Sequence, residues 1–342
     1  MRHFLDPKDG VEKSLREALQ EGLGDDRRKK RVTAEVPDAT ESRNDRPPCR
    51  PSDDATRKRP SKRRKLIAEA VAIEAEEARS AGALGFVARM LVQATLPHRK
   101  LEQTSFDRRN GKLRLSIYAH PDVGLPYGRY PRLLLIWVCT EAVKTKSPVL
   151  ELGPTLSSFM TRLGLIPSGG NWGTIHRLRE QMKRLFSATI AYTYDDAEEG
   201  CWREQGFRLT EDVQLLWNIR DPRQTNLWGS RVELNRRFYE AVVSRPVPID
   251  LRAVRALRSP MALDIYCWLT HRNSYLRRRT LIPWESLQLQ FGAGYTRTRA
   301  FKAAFLRHTT KVLTLYPDAR VEAGEQGLVL SPTRPHVGSL TS

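Results

Sequence analysis

The chain has 342 residues, with 58 lysines and arginines against 39 aspartates and glutamates, for a formal net charge of +19. The length leaves room for two ordinary domains plus tails, and the charge excludes an acidic solvating protein and points to a polyanionic partner, nucleic acid or an anionic membrane. The longest apolar run, Leu133 to Cys139, falls far short of the ~18 residues of a spanning helix, and the front has no signal-peptide core; a soluble protein with no membrane partner is expected.

The charge is unevenly placed. Residues 1–80 hold 20 basic and 17 acidic side chains, whereas residues 81–342 hold 38 and 22, so the excess belongs to the part that can fold. Arginine outnumbers lysine 44 to 14. That ratio suits bidentate contacts to phosphate and guanine, and GC-rich coding sequence would raise it as well. Cys49, Cys139, Cys201 and Cys267 form no Cys-x-x-Cys pair and have no histidine at zinc spacing. Cys139 and Cys267 sit in apolar runs and read as small core residues, which fits a reducing, cytoplasmic compartment.

In chain order, Val11, Leu15, Leu19 and Leu23 recur every four positions in residues 1–23. A partner-docking helix and a frayed helix without a role both fit. From Gly24 to Lys65 there is no Leu, Ile, Met or aromatic residue, so this stretch cannot offset its ordering entropy and is expected to be disordered. Its basic end, Arg57 to Lys65, fits a solvated linker or a DNA-contacting arm. Leu66 to Arg79 reads as a solvated helix with a thin apolar stripe, and Phe86 to Ala94 as a second helix.

Leu113, Leu115 and Ile117 alternate as a half-buried strand. Pro131 opens an apolar helix to about Val143, Pro148 to Leu152 is a short strand, and Thr155 caps a helix over Leu156 to Leu163 that Gly164 closes. Thr174 introduces a helix over Ile175 to Phe186. Ala188 to Tyr194 and Gly206 to Trp217 are expected to pair as a hairpin around an acidic loop, Asp195 to Gly200. The second half repeats the order. Met261 to about Tyr275 is a helix, Thr280 to Trp284 a strand, Glu285 to Phe291 a helix, Arg297 to Leu315 a long helix, and Arg320 to Glu322 with Gly327 to Leu330 a hairpin. Pro131 and Pro260, like Gly164 and Gly292, stand at nearly one offset, which argues for duplication. Helix, strand, helix, turn, helix and hairpin together describe a helix-turn-helix carrying a β-wing.

The third helix of each unit holds the candidate DNA contacts. Ile175, Leu178, Met182 and Leu185 form a core stripe, opposite which lie His176, Arg177, Glu180, Lys183 and Arg184; Thr174 marks the end that enters a major groove. In the second, Phe301, Phe305 and Val312 set the buried side, while Arg297, Thr298, Arg299 and Lys302 crowd the first turns. Positive charge there opposes the helix dipole at ~0.3–1 kcal/mol per charge, a cost that a bound anion removes. The expected DNA-binding residues are therefore Thr174, His176, Arg177, Lys183, Arg184, Arg297, Thr298, Arg299 and Lys302. No paired histidines, His-x-His motif or P-loop occurs, so no enzyme, metal or cofactor is expected; Asp264, Asp250 and Asp221 read as caps or ion-pair partners.

Gly124-Leu125-Pro126-Tyr127-Gly128, Pro131-Arg132-Leu133-Leu134-Leu135, Thr140-Glu141-Ala142-Val143 and Thr145-Lys146-Ser147 resemble the RepA family of plasmid replication initiators. So do Leu178 to Ala188 and Pro260-Met261-Ala262-Leu263-Asp264-Ile265-Tyr266, and the resemblance covers about residues 84–336. It implies an iteron-binding initiator of two tandem winged-helix domains. Such a protein opens the origin, works with the host initiator and replicative helicase, and represses its own gene as a dimer while initiating as a monomer. The acidic tip at Asp195 to Gly200 departs from a DNA-gripping wing. The expected fold is α+β and mainly helical, with a largely disordered region 1–65, a first winged-helix domain 66–226 and a second 227–342. A dedicated winged-helix repressor without initiator activity is the alternative.

Overall fold

The computed structural model describes residues 61–338 apart from 171, 197–199, 219, 226–228 and 293. The expected N-terminal helix and nearly all of the disordered stretch lie outside the described residues. Residues from Pro60 onward form one contact unit, and it is α+β.

Helix α1 (Lys62–Ala75) begins at Ser61, whose hydroxyl accepts from the Arg64 N–H, so the last basic residues of the charged run are helical. Residues expected in a second helix instead form β1 (Leu84–Ala88) followed by the short α2 (Arg89–Gln93). β1 is buried on both faces and so carries no alternation to read. A Cβ at Gly85 would meet the Leu251 side chain at 2.4 Å. Strand β2 (Ser105–Asn110) pairs with β3 (Leu113–Tyr118). β2 escapes a hydrophobicity reading because its inward positions include Arg108, buried with its guanidinium over the Phe106 ring at 4.7 Å.

α3 (Arg129–Thr145) is the hub of the first unit, buried almost all round from Pro131 to Ala142. β4 (Val149–Gly153), α4 (Leu156–Arg162) and α5 (Thr174–Ser187) follow where expected. Thr155 caps α4 by accepting from the Ser158 N–H at 3.1 Å, and Gly164 takes φ +70° just past its end.

β5 (Thr189–Asp196) and β6 (Cys201–Arg208) do form a hairpin, but it extends β2–β3 into a four-stranded sheet ordered β2-β3-β5-β6. The expected second strand, Gly206 to Trp217, is divided between two sheets. Its later part is β7 (Thr210–Gln214), which pairs with β8 (Ser230–Leu234), and β8 pairs with β4, giving the order β4-β8-β7. The β5–β6 strands thus belong to a sheet other than the one formed by β4, β8 and β7. The expected boundary at 226/227 falls between β7 and β8, two neighbours in one sheet.

Three elements with no sequence expectation come next. α6 (Arg236–Ser244) buries Phe238 and Val242, one turn apart. β9 (Pro246–Asp250) pairs antiparallel with β1, and Asp250 caps α7 (Leu251–Ala256) by accepting from the Arg252 N–H.

The second unit follows the expectation closely: α8 (Pro260–Tyr275), β10 (Thr280–Pro283), α9 (Trp284–Phe291), α10 (Thr298–Leu315), β11 (Arg320–Ala323) and β12 (Gly327–Ser331). Its sheet runs β10-β12-β11. Setting the β5–β6 hairpin aside, both units share one element order and one strand order. Phe305 of α10 meets Phe291 and Trp284 of α9, Trp268 of α8 and its own neighbour Phe301, with ring centroids 5.4 to 6.5 Å apart. Burying each such ring contributes about 1.5–3 kcal/mol.

One continuous core runs through both units, and a buried ion pair joins their first helices. Arg132 of α3 grips Asp264 of α8 with Nε on Oδ1 and Nη2 on Oδ2, both at 2.7 Å, and donates further to the carbonyls of Leu96, Pro97 and Gly128. His98 Nε2 reaches Asp264 Oδ2 at 2.7 Å. Burial alone would raise the Asp264 pKa, but Arg132 and the bonds it accepts hold it below the usual carboxylate value. Burial lowers the His98 pKa against the pull of Asp264, and brings the Arg108 guanidinium down to about 10. Asp264 is therefore an ion-pair partner, as expected, and Asp250 both caps α7 and pairs with Arg252 at 2.7 Å.

Candidate nucleic-acid interface

α5 starts from a turn that its own residues hold shut. Thr174 Oγ1 accepts from the Ser168 N–H at 2.9 Å and donates to the Ile166 carbonyl at 2.7 Å, and the Thr174 N–H donates to Ser168 Oγ. Gly173 fits only as glycine, since a Cβ there would lie 2.2 Å from the Gly169 carbonyl oxygen. Ile166 and Trp172 on this turn are over four-fifths exposed, at the mouth of the helix.

Along α5, His176, Arg177 and Lys183 are exposed, as the sequence suggests. Arg179, which the sequence reading passed over, is exposed too. With His176 and Lys183 it makes an i, i+3, i+7 stripe opposite Leu178, Met182 and Leu185. Arg184 is turned inward. It pairs with Glu180 at 2.7 Å, donates to the Leu125 carbonyl and lies over the Tyr127 ring, with its side chain about one-tenth exposed. Gly124, at φ +78°, passes so close that a Cβ would meet Arg184 Nη1 at 2.6 Å. The Tyr127 N–H donates to Gln181 Oε1. The Gly124–Gly128 motif is thus the turn that docks α5 onto the core. Thr174 and Arg184 spend their polar atoms inside the protein.

α10 is more open. Arg297 stands at its N-cap in extended conformation, and Arg297, Thr298 and Arg299 are exposed. Thr298 Oγ1 donates to Gln288 Oε1 at 2.7 Å, which ties α10 to α9. Arg299, Ala303, Arg307 and Lys311 lie on one exposed face at four-residue steps, with the small Ala300 beside them. Lys302 leaves this face: Nζ donates to the Gly324 carbonyl at 3.0 Å and sits over the Trp284 ring at 5.0 Å. It clamps the β11–β12 turn, which Trp284 Nε1 also holds through Gly324 O. Neither helix has an acidic residue in its first turn.

Among the described residues no group of three or more His, Cys, Asp and Glu could hold a metal ion, and no helix is long and apolar enough to cross a membrane. Cys139 and Cys267 are buried, and burial pushes the Cys139 thiol up to about 12; they fill the core.

The two exposed helix faces present positive charge, each on the helix that follows a short one. Residues 125–285 match the family model of the plasmid encoded RepA protein. The RepA-family resemblance seen in the motifs is thereby shown over that span. No protein of curated function matches the chain. Among solved structures, domains 2–3 of RctB are similar at 11% identity and TM-score 0.45, covering 70% of this chain and 94% of that one. A selenomethionine derivative of domains 2 and 3 of RctB is similar at 12% identity and TM-score 0.44, covering 73% and 97%.

Proposed function

We propose that this chain is a plasmid replication initiator that reads duplex DNA with two winged-helix units in tandem. The family match over residues 125–285 supports the initiator reading. The observation that carries the DNA reading is the repeated element and strand order, with an exposed basic face on the third helix of each unit. In this reading β7–β8 and β11–β12 are the wings, and β5–β6 is an insertion in the first unit. The first unit then runs through β8, past residue 226.

The DNA contacts in this reading are His176, Arg177, Arg179 and Lys183 on α5 and Arg297 and Arg299 at the start of α10, with Arg307 and Lys311 further along holding phosphate. Arginine forks suit guanine O6 and N7, while lysine suits phosphate. Each helix enters a major groove, the two grooves about one turn (~10.5 bp) apart on one face. The sites are repeated iterons at an origin in the bacterial cytoplasm. The protein helps open that origin, engages the host initiator and replicative helicase, and represses its own gene as a dimer while acting as a monomer at the origin.

Footprinting of the purified protein on the DNA flanking its own gene tests this. Evenly spaced tandem protections are expected. A single protected inverted repeat over the promoter would replace the initiator with a repressor.

A further inference from the structure

A cavity of about 280 Å³ lies between the start of α2, strand β9, the last turn of α8 and the tail at residues 335–337. Its charged side chains are Arg89 and Arg245, both exposed and without an ion pair among the described residues, and no carboxylate lines it. Pro246, Pro248 and Pro335 make an apolar wall. Deeper in, His271 is 7% exposed and edge-on to Tyr275 with no hydrogen bond to its ring nitrogens. Next to it the Thr270 hydroxyl is buried and has no partner, nor has Nε of the adjacent Arg272.

Buried polar groups without partners are costly, about 1–3 kcal/mol each, and usually mark a missing ligand or water. Here the Thr270 hydroxyl is such a group in the cavity lining, beside two guanidinium forks without an ion pair among the described residues. Burial first, then Arg89 and Arg272, pull the His271 pKa down to about 4, so the ring is a neutral hydrogen-bonding group in a positive field.

We propose that this cavity binds a phosphate group, with Arg89 and Arg245 gripping its oxygens, His271 bonding at the floor, and the proline wall holding an apolar body attached to it. Forked donors approaching from separate elements favour a tetrahedral, many-oxygen anion over a single carboxylate. The cavity's size allows more than a bare ion. The phosphate comes either from a free small molecule or from the DNA backbone.

Calorimetric titration of the full chain with inorganic phosphate and with adenosine monophosphate tests the site, using the Arg89→Ala/Arg245→Ala double variant for comparison. Both arginines are exposed, so the variant is expected to fold and melt like the parent. The nucleotide should bind the parent with a Kd below about 1 mM and more tightly than phosphate, and the variant about tenfold or more weakly. If duplex DNA displaces the nucleotide and the variant's DNA affinity loses about two counterions of salt dependence, the source is the backbone. If DNA binding is unchanged in the variant, the source is a free ligand. Absence of binding by either anion at about 1 mM, or equal binding by the variant, overturns the proposal. Footprinting of the parent protein is independent of this result, so failure of the cavity and failure of the DNA reading are distinguishable.

Discussion

The two third helices share a place in the fold but divide their charges differently. α5 turns Arg184 back to Glu180, Leu125 and Tyr127 and uses Thr174 to close its entry turn. α10 keeps Arg297 and Arg299 free at its start and gives up only Lys302, to the β11–β12 turn. The connection before α5 is the longer one, residues 163–173 against 292–297; Ser168 and Thr174 close the first, while Gln288, bonded to the Tyr295 carbonyl and to Thr298, closes the second. In the proposed reading a basic residue on a third helix contacts DNA only where no turn or neighbouring loop claims it, which makes α10 the stronger candidate and leaves α5 its exposed His176–Arg179–Lys183 stripe.

The largest expected effect lies where the two units meet. Asp264→Ala leaves Arg132 buried without its partner and is expected to destabilise the protein by about 3–5 kcal/mol. Thermal melting followed by separate probes in each unit should show them unfolding together, because one core spans both. The pair's contribution has a defined pH window. The folded Asp264 pKa is lowered, so the stabilisation is complete above the unfolded value of ~3.9 and is lost as pH falls through the lower folded value. Separate transitions would break the picture of two readers on one rigid support.

Arg299→Ala is expected to cost about 1–3 kcal/mol of specific DNA binding if the side chain reads a base. Arg179→Ala should act in the same direction by less. Arg184→Ala sharpens the contrast: its loss should appear as about 1–3 kcal/mol of stability, the value of a charged hydrogen-bond network. Its slope of binding against salt should stay that of the parent, and a reduced slope would return Arg184 to the DNA face. The smallest effect is expected from Arg307→Ala or Lys311→Ala, each removing about 0.9 from the salt slope with no change in sequence preference.

Much of the second unit was legible in the sequence because its signals are local. Pro260, Gly292, the aromatic stripe of α10 and the Gly327 turn each act within a few residues of where they stand. The first unit was less legible where its structure depends on distant partners. β1 becomes a strand only by pairing with β9, some 160 residues away, and burial on both faces removes its alternation. β2 hides behind a buried arginine, and β7 and β8 are separated by a long connection that breaks the hairpin signal. At the candidate interface, periodicity correctly separated the core side of α5 from its exposed side, yet could not show that Arg184 meets Tyr127 and Glu180 or that Lys302 meets Gly324. Arg179 could have been found by the same 100° arithmetic, since it falls about 40° from Lys183 and about 60° from His176 on the exposed side.

The most direct test of the account is the ratio of affinities for a footprinted site and for random duplex DNA, measured for the parent and for the Arg297→Ala/Arg299→Ala variant at one salt concentration. The account predicts that the variant's ratio falls steeply, by about tenfold or more, because specific binding loses base contacts that random DNA never had. An unchanged ratio, with both affinities reduced alike, would make the face of α10 a phosphate-holding surface and contradict its role as the principal reader.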